Sequence, residues 1–130
     1  TTEDVAICLG QAVNKALCNK KGITRYGSMI LPMDETLIMA AVDISGRDYL
    51  AMNLNITADK VGDFDTELCE EFWLAFVRNA ACTLHIRQLA GKNSHHIIEA
   101  QFKAAARVLA KACAVDAAKA DQIPSTKGVL

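Results

Sequence analysis

Long apolar runs are missing from this 130-residue chain, and so are a CxxC pair and any excess of one charge. A helix crossing a membrane needs about 20 consecutive apolar residues, so none is expected. No basic stretch followed by an apolar one opens the chain, so no signal peptide or transit peptide is read from it either. Lys and Arg number 14 against 15 Asp and Glu, a net charge of -1, which excludes a general attraction to nucleic acid or to an anionic membrane. Any anion must be held by a few placed side chains. Five cysteines, an odd number at irregular spacing, suit reduced thiols in a cytosol-like compartment rather than a disulfide framework. The expectation is a cytoplasmic protein, or a plastid one in a plant. What is abundant is apolar residue, 52% of the chain, beside 22% charged, enough for one compact domain and too apolar for disorder.

Thr1-Thr2-Glu3-Asp4 already reads as the first turn of a helix, so a preceding segment is expected. Val5, Leu9, Ala12, Val13, Ala16 and Leu17 recur at helical spacing and predict a helix to Cys18, stopped by Lys20-Lys21-Gly22. Turn signals then divide residues 23–55 into three strands: Ile23 to Leu31, Thr36 to Ile44 and Tyr49 to Leu54. Asp63 to Asn79 predicts a second helix behind an Asp65/Thr66 cap, and Cys82 to Leu89 a strand with one covered face. A third helix is expected from His95 to Ala117, with Ile123 to Gly128 extended after it. The class is α+β, strands and helices in separate groups. Placing Glu3 on Glu99 aligns two helix starts, each with a carboxylate in an alanine-rich helix, as a faint internal repeat.

Only three histidines occur, and two are adjacent, His95-His96, ahead of Glu99. On a helix His95 and Glu99 can reach one point, and His96 and Glu99 another. Adjacent side chains point about 100° apart, so the spacing suits two metal ions better than one. Imidazole and carboxylate donors without thiolate favour manganese, iron, cobalt or zinc. A solvated helix start is the competing reading of the same three residues. His85, alone on a strand, reads as structural rather than as a ligand. Arg25 and Arg47 stand near glycines at turns, Lys103 lies one helical turn past Glu99, and Ser125 and Lys127 occupy the C-terminal segment. Cations, hydroxyls and glycines of this kind are what a phosphate pocket needs, though none of these runs is a P-loop.

The runs Arg25-Tyr26-Gly27-Ser28, Pro32-Met33-Asp34-Glu35, Asp43-Ile44-Ser45-Gly46-Arg47, Leu84-His85-Ile86-Arg87, Gly91-Lys92-Asn93-Ser94-His95-His96-Ile97-Ile98-Glu99 and Pro124-Ser125-Thr126-Lys127-Gly128 resemble, in order, those of the imidazoleglycerol-phosphate dehydratases of histidine biosynthesis. The resemblance covers the chain from end to end. It implies a lyase that removes water from imidazoleglycerol phosphate to give imidazoleacetol phosphate, with two manganese ions per active site. It also implies a duplicated half-domain, each half an antiparallel or mixed sheet backed by paired helices, an architecture shared with the second domain of a small-subunit ribosomal protein.

In this chain the first half is incomplete: residues 1–55 are expected to be its remainder and residues 56–130 the second half-repeat. The implied metal ligands are His95, His96, Glu99 and Glu3, with Glu71 where many relatives carry histidine. Glu99 and Glu3 are also the implied catalytic carboxylates. Arg25, Arg47, Lys103, Ser125 and Lys127 match the family's phosphate site. The implied partners are further copies of the chain, in an assembly of about 24 subunits, and an N-terminal companion segment carrying a further ligand and the main proton-transfer group. No nucleic acid and no membrane is implied. The alternative is a catalytically incomplete fragment that binds metal and assembles.

Overall fold

The computed structural model describes residues 1–130. Helix α1 (Thr2–Leu17) precedes a hairpin of β1 (Tyr26–Met33) and β2 (Thr36–Asp43), then β3 (Tyr49–Asn53). A short hairpin of β4 (Lys60–Val61) and β5 (Phe64–Asp65), helix α2 (Leu68–Ala80), strand β6 (Thr83–Ala90) and helix α3 (Ser94–Cys113) follow. No helix is long and apolar enough to cross a membrane.

Four strands form one mixed sheet in the order β1-β2-β6-β3, with β3 parallel to β6 and the other pairs antiparallel. Alternation in β2 sets the covered face: Thr36, Ile38, Ala40 and Val42 are buried, the residues between them only partly so. Register then places Ala40 beside Ile86 and Val42 beside Leu84, and Leu50 and Met52 of β3 beside the same two residues. Full burial of a side chain such as Ile38, Leu84 or Ile97 contributes about 1.5–3 kcal/mol. Helix α3 lies across β1 and β2, and α2 packs on β3 and on α1. Between α2 and α3 the buried polar groups are paired: Trp73 Nε1 donates to Gln101 Oε1 at 2.8 Å, and Gln101 Nε2 to Cys69 Sγ at 3.9 Å. Where α1 meets α2, a Cβ on Gly10 would lie 2.7 Å from the Phe76 carbonyl oxygen, so this crossing needs glycine.

The α+β class holds, and strands, helices and their order follow the expected pattern. Several details differ. The expected division after residue 55 cuts the sheet, because β1, β2 and β3 precede it and β6 follows it. One four-stranded half with α2 and α3 therefore runs from β1 to α3, with α1 before it and the segment 114–130 after it. On α1 the inner face carries Ala6 and Gly10 together with Val13 and Leu17, which pack against the core as their spacing predicts, while Val5 and Leu9, read into the same pattern, are 48% and 47% exposed. Helix α2 starts at Leu68, not near Asp63, since Phe64 and Asp65 pair in the β4–β5 hairpin. Thr66 does not cap it: its hydroxyl donates instead to the Ala58 and Asp59 carbonyls, tying the hairpin down. Helix α3 stops at Cys113, where Val115 bridges Ile23, and residues 123–128 form turns instead of running extended.

Candidate functional site

Two polar groups stand out, at opposite ends of the β1–β2 hairpin. The first surrounds the start of α3. Asn93 caps that helix, its side chain accepting from the His96 backbone N–H at 3.2 Å. His95 Nε2 meets Glu99 Oε2 at 3.0 Å, the one-turn pairing its spacing predicts. Lys103 Nζ meets the other oxygen, Oε1, at 2.8 Å. Lys103 first, then His95, hold the Glu99 carboxyl below the usual carboxylate range.

His96 does not share Glu99. Its Nδ1 is bonded to Glu35, at the β1–β2 turn, and its Nε2 lies 3.9 Å from Asp34 Oδ2. Glu35 is the group that sequence reading missed as a site residue. Its Oε2 accepts from Thr36 Oγ1 at 2.6 Å and from the Lys92 and Asn93 backbone N–H groups at 2.8 and 3.2 Å. Those donors, Thr36 foremost and His96 next, hold Glu35 far below the usual carboxylate range, and Glu35 in turn raises His96. The only local signal was an acidic turn between two strands, which is common on surfaces. Folding alone brings that turn to the start of α3.

These donors come in twos, His95 with Glu99 and His96 with Glu35. No group of three or more His, Cys, Asp or Glu side chains within the chain could hold a metal ion. Glu3 is on the exposed first turn of α1. Glu71, exposed on the first turn of α2, lines a separate cleft with Asp59, Asp65 and Glu67. The five expected ligands therefore do not converge in one chain. The donor chemistry, imidazole nitrogen and carboxylate oxygen without thiolate, still fits a borderline or hard divalent ion at each pair. His85 belongs to neither group: it is exposed on β6 with its ring 6.1 Å from that of Tyr49.

The second group lines an open cleft of about 780 Å³, in which Arg25, Arg47, Ser125 and Lys127 meet, with Ser45 and Gly46 beside them. Four of the five expected phosphate residues are thus brought together from three distant stretches of chain. Lys103 is not among them, being held by Glu99. Arg47 and Lys127 are exposed and form no ion pair within the chain. Arg25 is fixed: Nε and Nη2 donate to the two oxygens of Asp43 at 2.7 and 3.3 Å, and Nη1 to the Pro124 carbonyl at 2.8 Å. Gly27, expected to open the backbone to a phosphate, lies instead against α3. The β2 strand that separates the two groups has eight residues, so they stand about 25 Å apart.

A model of the imidazoleglycerol-phosphate dehydratase family matches residues 1–109. The dehydratases of Moorella thermoacetica and Xanthobacter autotrophicus are 55% and 56% identical over all 130 residues. The chain spans 66% of the length of each of these relatives. The crystal structure of the Staphylococcus aureus dehydratase superposes with a TM-score of 0.86 at 50% identity, over 88% of this chain and 68% of that one. That of Pyrococcus furiosus does so with a TM-score of 0.86 at 39% identity, over 99% and 69%.

Proposed function

The chain belongs to the imidazoleglycerol-phosphate dehydratase family, and from that premise we propose that it serves the manganese-dependent removal of water from imidazoleglycerol phosphate, giving imidazoleacetol phosphate for histidine biosynthesis. One observation supports this above the rest: a pair of imidazole–carboxylate clusters and a cation-lined cleft occur in one chain, matching a substrate with an imidazole at one end and a phosphate at the other. Bound manganese would stabilise negative charge as a carbon-bound proton leaves the substrate.

The chain's own residues do the rest. Glu35 holds the Nδ1 side of His96, which leaves Nε2 as the ligand atom. Glu99, kept ionised by Lys103 and His95, suits a ligand better than a proton carrier. Arg47 and Lys127 anchor the phosphate, Arg25 and Ser125 border it, and this remote binding energy orients the glycerol hydroxyls for elimination. Glu3 and Glu71 complete the metal sites from other copies.

Separation of the two groups by about 25 Å along β2 means that one small substrate cannot reach both within a chain. The active site then forms between copies, the clusters of one facing the cleft of another, in a cytoplasmic homo-oligomer. Manganese should therefore drive assembly: light scattering is expected to show a large closed particle with manganese and smaller species after chelation. A monomer in manganese would refute this.

Arg47→Ala and His96→Ala separate the two sites. The arginine variant is expected to raise KM while keeping its manganese, since guanidinium touches only phosphate. The histidine variant should lose metal and turnover together. Metal content by elemental analysis and steady-state kinetics give the answer; an Arg47 variant that loses manganese as readily would overturn the division. A second reading, a metal-binding and assembling module without turnover, is favoured by the donors coming only in pairs. An assembly that holds manganese and turns over no imidazoleglycerol phosphate would establish it.

A further inference from the structure

Arg25 differs from the other cations of the cleft in being occupied. A guanidinium has five N–H groups, and here three are committed, two to Asp43 and one to the Pro124 carbonyl. One N–H on each of Nη1 and Nη2 is left for a ligand. The Arg25 and Asp43 side chains are only 13% and 24% exposed, in contrast to the surface pairs Lys60–Asp65 and Lys103–Glu99. The backbone around the pair is equally bound: the Arg25 N–H donates to the Ala112 carbonyl at 2.8 Å, and the Ile44 N–H to the Arg25 carbonyl at 3.0 Å. Arg25 takes up a positive φ of 76° to satisfy all of these, a conformation that disfavours any side chain.

The bond to Pro124 is the consequential one. Pro124 immediately precedes Ser125, whose hydroxyl accepts from the Lys127 N–H at 3.2 Å and whose carbonyl accepts from the Gly128 N–H at 3.1 Å. That turn presents Ser125 and Lys127 to the cleft. Resting on the reading of this cleft as the phosphate site, we propose that Asp43 is a positioning residue for it: its carboxylate clamps Arg25, and through Arg25 and the Pro124 carbonyl it docks the turn that carries Ser125 and Lys127. Side-on, bidentate contact is the geometry in which a carboxylate fixes a guanidinium plane and leaves its outer N–H groups aimed outward.

Charge alone makes the opposite prediction. Asp43 is an anion beside an anion site, so neutralising it adds attraction for phosphate. Positioning instead predicts that the loss of the clamp dominates. Inorganic phosphate binding to the 130-residue chain, followed by NMR titration, tests which holds without requiring turnover or metal. Asp43→Asn is expected to weaken phosphate about tenfold and to speed amide exchange at Lys127 and Gly128, with Asp43→Glu recovering part of both. An Asp43→Asn chain that binds phosphate as tightly as wild type, or more tightly, overturns the proposal. Should that variant not fold, Arg25→Lys keeps the charge and lacks the fork, and the same loss is expected of it; unchanged binding would again overturn the proposal. A wild type that does not bind phosphate at this cleft removes the site itself, an outcome distinct from an indifferent Asp43.

Discussion

Gly27→Ala is expected to destabilise the fold by about 3 kcal/mol or more, read as a lower urea midpoint with an unchanged slope. A Cβ at Gly27 would stand 2.3 Å from the Val108 carbonyl oxygen and 3.1 Å from its carbon, both backbone atoms. Val108 lies inside α3 and cannot give way alone, so the helix must tilt off β1. Tilting opens the contacts that bury Ala104, Ala105, Val108 and Ala112, all of which are essentially inaccessible to solvent. Replacing glycine by alanine also restricts the unfolded chain and so stabilises by about 0.4–1 kcal/mol, too little to offset the clash. Against a total of about 5–15 kcal/mol for a domain, such a loss is severe. A midpoint within error of wild type would show that α3 does not need this approach.

Glu35→Gln is expected to weaken manganese binding about 10- to 100-fold, measured by titrating manganese into the metal-free protein. The carboxylate fixes the His96 ring at Nδ1 while three further donors, the Thr36 hydroxyl and the Lys92 and Asn93 N–H groups, point at its other oxygen. A glutamine must turn its NH₂ either toward those three donors or toward the imidazole, so one side always loses its acceptor. Unchanged affinity would exclude the role.

The same pair leaves a pH signature in the metal-free protein. Glu35 is lowered from 4.5, so its contribution is present above that value and fades as acid protonates it in the folded state. His96 is raised from 6.5, so its contribution is complete below that value and is lost as the pH rises through the raised one. Wild type should therefore exceed Glu35→Gln in stability most between pH 4.5 and 6.5, the difference narrowing above. A difference that grows toward alkaline pH would contradict the pairing.

Much of the candidate site was legible because it is local. His95 and Glu99 meet as their spacing on one helix requires, and Lys103 joins them one turn on. Arg25, Arg47, Ser125 and Lys127 were named from short runs of cation, hydroxyl and glycine, and they share one cleft. Glu35 and Asp43 were not named for any role. Each acts through a partner far along the chain, His96 in one case and Arg25 with Pro124 in the other, and no periodicity links such positions. Glycine was read for the wrong purpose at Gly27, because a residue without a side chain serves a phosphate and a close helix equally well.

The sequence by itself determined the elements and the side chains they carry: alternation in β2 and β6, helical periodicity in α2 and α3, the family runs in order, and two groups of polar side chains, imidazole with carboxylate and cation with hydroxyl. Tertiary structure decided the rest. It placed β3 parallel to β6 across a helix, so that residues on both sides of position 55 build one sheet. It set which part of the wide apolar side of α1 meets α2, burying Ala6 and Gly10 and leaving Val5 and Leu9 exposed. It also put the imidazole–carboxylate pairs and the cation-lined cleft at opposite ends of one strand. Distance along a chain does not report distance in space, because register and packing across non-local contacts, not the spacing of residues, choose which distant side chains meet.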